Sequence, residues 1–294
     1  MLNQLVMKTS QIIVFSLLLF IACSDPSGPL SEYYYKDRIA FSSDMDGDFD
    51  IYTVKRDGTK LERLTDCSKQ GYDMASKPCW SYDGKRIAFL MMELYKGNAI
   101  ATAVYSINSD GAGLNAIIKS LFVGTIIWDG DYNLFTFVVW GGFDSAISGI
   151  YITDINIRLT EQLLSVKNIR GLDRNRSGEL IYASGLDIYY RQNVYDQEPV
   201  LLVQGAYPKW SPEGDRVTYV FDEQIWTMNS DGTAQELIID SGEYPDWTPD
   251  DNGIIYNYRN NGEYSIYYYD FASGETTPIV ANGHINIRPI CSPL

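Results

Sequence analysis

The chain is 294 residues long, carries a formal net charge of −15 and contains a single histidine. Such acidity argues against nucleic acid or an anionic membrane surface as the main partner, because both need clustered Lys and Arg, and one histidine rules out a multi-histidine metal set. Aromatic residues make up 14% of the chain, with 23 tyrosines, which favours pleated strands over helices.

In chain order, the first feature is a targeting segment. Lys8 is its only charge, and Ile12 to Ala22 is an apolar run too short to span a bilayer. It ends Leu19-Phe20-Ile21-Ala22-Cys23. A small residue followed by Cys after a hydrophobic stretch resembles the lipobox of bacterial lipoproteins, in which the Cys is lipidated and becomes the first residue. The resemblance implies a signal peptide over 1–22 and a lipidated Cys23. Residues 23–36, with Pro26, Gly28 and Pro29, then form a tether, leaving 37–294 for the fold.

From Asp37 onward the chain repeats. A β-branched residue followed by an aromatic recurs at Ile51-Tyr52, Val104-Tyr105, Ile150-Tyr151, Ile188-Tyr189, Ile225-Trp226 and Ile266-Tyr267, at spacings of 53, 46, 38, 37 and 41 residues. In a strand these two side chains point to opposite faces, so each pair is expected to face both neighbours of its unit. Turns follow at Asp57-Gly58, Asp110-Gly111, Asp231-Gly232 and Ser273-Gly274, with Gly supplying positive φ. A second phrase recurs at Pro78-Cys79-Trp80-Ser81, Ile127-Trp128-Asp129, Leu172-Asp173-Arg174, Pro208-Lys209-Trp210-Ser211-Pro212 and Pro245-Asp246-Trp247-Thr248-Pro249. A rival reading makes Leu114 to Leu121 a helix, but its position after Asp110-Gly111 marks it as the outer strand of the second unit. Four strands per unit at a period near ~40 is the pattern of a propeller blade.

The last copy of the phrase, Pro289-Ile290-Cys291-Ser292-Pro293, has no unit after it, while the first unit starts at its second strand, Arg38-Ile39-Ala40-Phe41. The predicted fold is therefore all-β: a six-bladed propeller of four-stranded antiparallel blades, closed by the C-terminal strand. Such closure removes the two free edges that an open ring would expose.

WSPEGDRVTYV, WSYDGKRIAFL and RIAFSSDMDGDFDIYTVKRDGTKLERLT resemble the repeats of the TolB-type propeller, the WD40-like PD40 group. The resemblance runs from about Asp37 to Leu294 and implies the fold. The family's best-known member carries a further N-terminal α/β domain for which 37–294 leaves no room, so its function does not carry over whole. Propellers host many functions.

Motifs for chemistry are sparse. Asp44, Asp46, Asp48 and Asp50 alternate as calcium ligands do, but an EF-hand-like loop needs Gly where Phe49 stands and Glu where Lys55 stands, so a structural hairpin is the better reading. His284 has no G-x-S-x-G partner. Cys67 and Cys79 flank one predicted loop and are either a disulfide or two separate thiols. Trp80, Trp128, Trp210 and Trp247 recur at one repeat position and read as core. No catalytic residue, cofactor or metal is assigned. The expected function is a binding module in the bacterial envelope, lipid-anchored on the periplasmic or cell-surface side, for a protein or peptide or else a glycan. The alternative is an envelope glycan hydrolase or lyase working through carboxylates at the channel mouth. The working face is placed on the rim of the longer second-to-third-strand connections, with Tyr95, Trp140, Phe143, Tyr258 and Tyr264 as partner-binding anchors.

Overall fold

The computed structural model describes residues 37–128, 134–139, 148–154, 159–192 and 198–293. Strands dominate, and they assemble into six four-stranded antiparallel sheets. Five blades run in chain order from the inner strand outward. Their inner strands are Met74–Trp80, Val123–Trp128, Ile169–Arg174, Ala206–Trp210 and Glu243–Trp247, which open blades 2 to 6. In blade 1 the inner strand is Asn286–Cys291, which pairs antiparallel with Arg38–Ser43 through Ile39↔Cys291 and Ser43↔Asn286. The expected closure is therefore the observed one. Side chains reinforce this seam: the Arg38 amide donates to Ser292 Oγ at 3.0 Å and the Ser43 hydroxyl to Asn286 Oδ1 at 2.8 Å. The stretch Asn115–Leu121 is the outer strand of blade 2.

The repeated dipeptide explains the ring. Ile51 of blade 1 packs with Ile87 and Phe89 of blade 2, while its neighbour Tyr52 packs with Ile255 and Ile266 of blade 6. The same division holds for Val104 and Tyr105, and for Ile225 and Trp226. Each aromatic member faces an aromatic directly opposite on the second strand: Phe41↔Tyr52, Phe89↔Tyr105, Phe137↔Tyr151, Tyr182↔Tyr189, Tyr219↔Trp226 and Tyr256↔Tyr267. Cross-strand aromatic pairs contribute roughly 0.5–1.5 kcal/mol beyond their burial. Period-two alternation thus fills the contact between neighbouring blades.

The Asp-Gly turns are alike. Asp57, Asp110 and Asp231 each accept the backbone N–H two residues on, at 2.9 Å. The glycine that follows takes a φ of 79°, 84° and 87° respectively, in the left-handed region closed to most side chains.

Candidate functional site: the two mouths of the central channel

Each inner strand carries one residue more than its partner. In blade 2, Ser76 pairs with Leu90 but Cys79 with Ala88. Blades 4, 5 and 6 repeat the bulge, and blade 1 carries it between Ile287 and Ile290. The backbone at the bulge is left-handed for bulky residues, with φ of 56° at Lys77, 52° at Tyr207, 50° at Tyr244 and 57° at Arg288. Such conformations cost on the order of 1–3 kcal/mol each and persist only where the surroundings enforce them. At the equivalent place in blade 4 stands Gly171, where a Cβ would lie 2.8 Å from the Tyr207 Cα. A bulge re-aims its side chain, and here it sends Lys77, Tyr207, Tyr244 and Arg288 into the mouth where the inner strands begin.

That mouth is a cavity of about 340 Å³. The Arg288 guanidinium lies 4.2 Å from the Tyr244 ring centroid and donates to the Tyr244 hydroxyl at 3.3 Å. The Tyr207 and Tyr244 rings are 4.5 Å apart, and Arg170 lies 5.8 Å from the Tyr207 centroid. Among the described residues, neither Arg170 nor Arg288 has a carboxylate within ion-pair distance. The Lys77 ammonium donates to the Gly124 carbonyl. Burial, and secondarily the charge of Arg288, push the Lys77 pKa well below its ordinary value.

Deeper in the channel, three consecutive blades present Asp173, Lys209 and Asp246. The Lys209 ammonium is 3.4 Å from Asp173 Oδ1. Each carboxylate also fastens its strand to the next inner strand: Asp173 Oδ2 accepts the Trp210 N–H at 2.9 Å and Asp246 Oδ2 the Cys291 N–H at 2.8 Å. Burial pushes the Asp246 pKa up to about 6, against the pull of Lys209. Burial alone would lower that of Lys209, but Asp173 and Asp246 hold it above its ordinary value. These two acids are tied to backbone donors and share one lysine. A glycosidase pair instead leaves its carboxyl groups open toward the scissile bond.

The opposite mouth carries the tryptophans. Trp80, Trp128, Trp210 and Trp247 are only 3–7% exposed. The Trp80 indole donates to the Ile290 carbonyl at 3.1 Å and that of Trp247 to the Lys209 carbonyl at 3.2 Å. Trp80 and Trp247 thereby stitch one blade to the next, and at this burial none of the four offers an open stacking face.

Of the anchors named from sequence, Trp140 and Phe143 lie outside the described residues. Tyr95, Tyr258 and Tyr264 sit on the rim of the cationic mouth: backbone bridges Phe49↔Met74 and Tyr264↔Ile285 bring the second-to-third-strand hairpins of blades 1 and 6 to the region where inner strands begin. The long connection of blade 2 is itself strand. Its ladder runs out to Tyr95↔Asn98 around a Lys96-Gly97 turn, because the residues between keep pairing. Tyr95 is 62% exposed, with the Lys96 ammonium 5.4 Å from its ring centroid. Tyr258 packs edge-on against Tyr267 at 5.5 Å, and Arg259 lies 5.4 Å from the Tyr264 centroid. Sequence reasoning missed Lys77, Arg170, Tyr207, Tyr244 and Arg288. Four of them had a signal, since each precedes the proline of the recurring phrase.

The aspartates of the first hairpin are engaged separately. Asp44 Oδ1 accepts the Ile285 N–H at 2.9 Å and lies 3.5 Å from His284 Nδ1. Asp46 accepts the Tyr52 hydroxyl at 2.7 Å, and Asp50 holds Arg63 at 2.6 Å together with the Thr65 hydroxyl and the Cys67 N–H. Asp48 stands in the turn between them. Cys67 and Cys79 are two separate thiols and not a disulfide, which decides between the two readings of the pair. Burial pushes the Cys67 thiol up to about 12, the state of an inert structural cysteine.

No sequence-family profile and no curated protein sequence matches the chain. Solved structures do. TolB from Acinetobacter baumannii is similar over 88% of this chain and 67% of that one, with a TM-score of 0.72 at 14% identity. A chain of the nidogen/laminin complex is similar over 87% of this chain and 98% of that one, with a TM-score of 0.66 at 11% identity. An oligogalacturonate lyase from Vibrio parahaemolyticus covers 81% and is covered over 89%, with a TM-score of 0.50 at 10% identity. At such identities the likeness establishes the fold. It defines the class first: a closed six-bladed β-propeller. Within that class the fold is of the TolB type.

Proposed function

We propose that the chain is an envelope-anchored binding module that captures a protein or peptide partner on the rim where the inner strands begin. The observation that carries this reading is the mouth itself. Arg170 and Arg288, stacked near Tyr207 and Tyr244, gather positive charge in a chain of net charge −15. Aromatic and Arg side chains are the usual anchors of protein interfaces. Tyr95, Tyr258 and Tyr264 extend the surface outward, and Trp140 and Phe143 join them on sequence position. The competing reading, a glycan hydrolase or lyase, needs an accessible acidic pair, and the channel's Asp173 and Asp246 are committed to backbone donors and to Lys209.

The anchor is part of the proposal: signal peptide over 1–22, lipidated Cys23, a tether to residue 36, and the propeller beyond it. Among the described residues no helix is long and apolar enough to cross a membrane. The test is capture from detergent-solubilised envelope by the immobilised chain. Combining Tyr244→Ala with Trp140→Ala and Phe143→Ala should abolish capture, while Asp231→Asn in the opposite-rim turn should not. Loss of the partner by the turn variant alone would refute the assignment of faces.

A further inference from the structure

Resting on that reading, the geometry points to a specific ligand chemistry: the mouth receives the free carboxylate at the end of a peptide whose last side chain is apolar. Charge is the first argument. Acidic residues outnumber basic ones by 38 to 23, yet the guanidiniums of Arg170 and Arg288 meet no carboxylate among the described residues. A guanidinium presents paired donors that match a carboxylate's two oxygens. Walls of low dielectric around it strengthen the attraction over that at an open surface.

Preorganisation is the second argument. The Arg288 backbone is held left-handed by the bulge, and its N–H donates to Asn257 Oδ1 at 2.8 Å. Asn257 is fully buried and donates in turn to the Asn286 carbonyl at 2.6 Å. The Tyr244 ring fixes the other end of the side chain. Little side-chain entropy is left for a ligand to freeze, which is what turns contact into affinity.

The third argument separates a peptide end from other anions. Between the cations the cavity is lined by Ile126, Leu172, Pro208, Pro245, Pro289 and Ile290. Proline offers no N–H and these six side chains carry no polar atom, so each hydroxyl of a uronic acid left facing them would cost about 1–3 kcal/mol; the uncharged polar side chains of the lining are Thr125, Tyr207 and Tyr244. An apolar terminal side chain suits the same walls. The volume of about 340 Å³ lies at the small end of ligand cavities, roughly 300–1,000 Å³, and holds a chain end rather than a folded surface. Capture of a terminal carboxylate is a recurrent mode of peptide recognition.

The experiment is calorimetric titration of the full chain with the tripeptide acid acetyl-Ala-Ala-Leu, its C-terminal amide, galacturonate and octanoate. The acid should bind at least about ten-fold more tightly than the amide, equivalent to about 1.4 kcal/mol, and more tightly than galacturonate or octanoate. Arg288→Gln should erase the preference for acid over amide, and Arg170→Gln should reduce it. Arg176→Gln at the opposite mouth, where Arg176 lies 5.3 Å from the Tyr82 ring centroid, should leave it intact. If Arg288→Gln fails to fold, the comparison of acid with amide on the unaltered chain still decides. Equal affinity for acid and amide, tighter binding of galacturonate or octanoate, or no binding of the acid would each overturn the inference. An envelope partner captured on this rim by a chain indifferent to free carboxylates would overturn it while leaving the binding-module reading in place.

Discussion

Lys209 offers the sharpest test of how the channel is held together. It lies between two carboxylates on the neighbouring blades, 3.4 Å from Asp173 Oδ1. At an effective dielectric constant of about 20, a unit pair at that distance is worth ~5 kcal/mol before desolvation is counted. Lys209→Met removes the cation and leaves the acids enclosed, and breaking a buried pair on one side costs about 3–5 kcal/mol. A carboxylate can escape part of that cost by taking a proton. Asp246 already has a folded pKa of about 6, raised by burial. A raised carboxylate pKa means that the folded state binds protons more readily than the unfolded one, so this group's contribution to stability falls as pH rises from about 4 through 6. Without Lys209 the Asp246 pKa climbs further, and the loss continues to higher pH at about 1.4 kcal/mol per pH unit. The variant should therefore be only about 1–2 kcal/mol less stable than the parent near pH 5, and about 3–5 kcal/mol less stable near pH 8. Urea denaturation at constant ionic strength measures both. Equal destabilisation at the two pH values would refute the reasoning, because it would mean that Lys209 does not set the charge state of its neighbours.

Deleting Gly283 to Leu294 removes the inner strand of blade 1 and exposes the Arg38–Ser43 edge; aggregation or a large drop in melting temperature is expected, and an unchanged melt would contradict closure by this strand. Phe89→Ala, at a fully buried site stacked on Tyr105 at 6.4 Å, should cost about 3–5 kcal/mol in chemical denaturation. Adding calcium or a chelator should leave the melting temperature unchanged, since Asp44, Asp46 and Asp50 already serve protein donors; a rise of several degrees with calcium would show binding to the folded state. Cys23→Ala should move the protein from the membrane fraction to the soluble one, as expected if the acyl chain is the anchor, and unchanged membrane association would sink the lipid-anchor reading.

The architecture was legible in the sequence because a propeller is a local pattern repeated. Ile51-Tyr52 and its five counterparts state a period of two within a strand and a period near ~40 between units, and each pair fills the two faces that its own strand creates. Pro289 to Pro293, a phrase without a unit, announced the seam for the same reason. The mouth was not legible in this way. A bulge depends on the register between two strands, and register is a relation between segments that no single segment encodes. Lys77, Tyr207, Tyr244 and Arg288 lie far apart in the chain and converge only because one extra residue in each inner strand turns a side chain toward the axis. Asp173, Lys209 and Asp246 read in sequence as three unremarked charges at one repeat position. The packing of three consecutive inner strands around the channel set them side by side, where enclosure at low dielectric makes their mutual charge decisive.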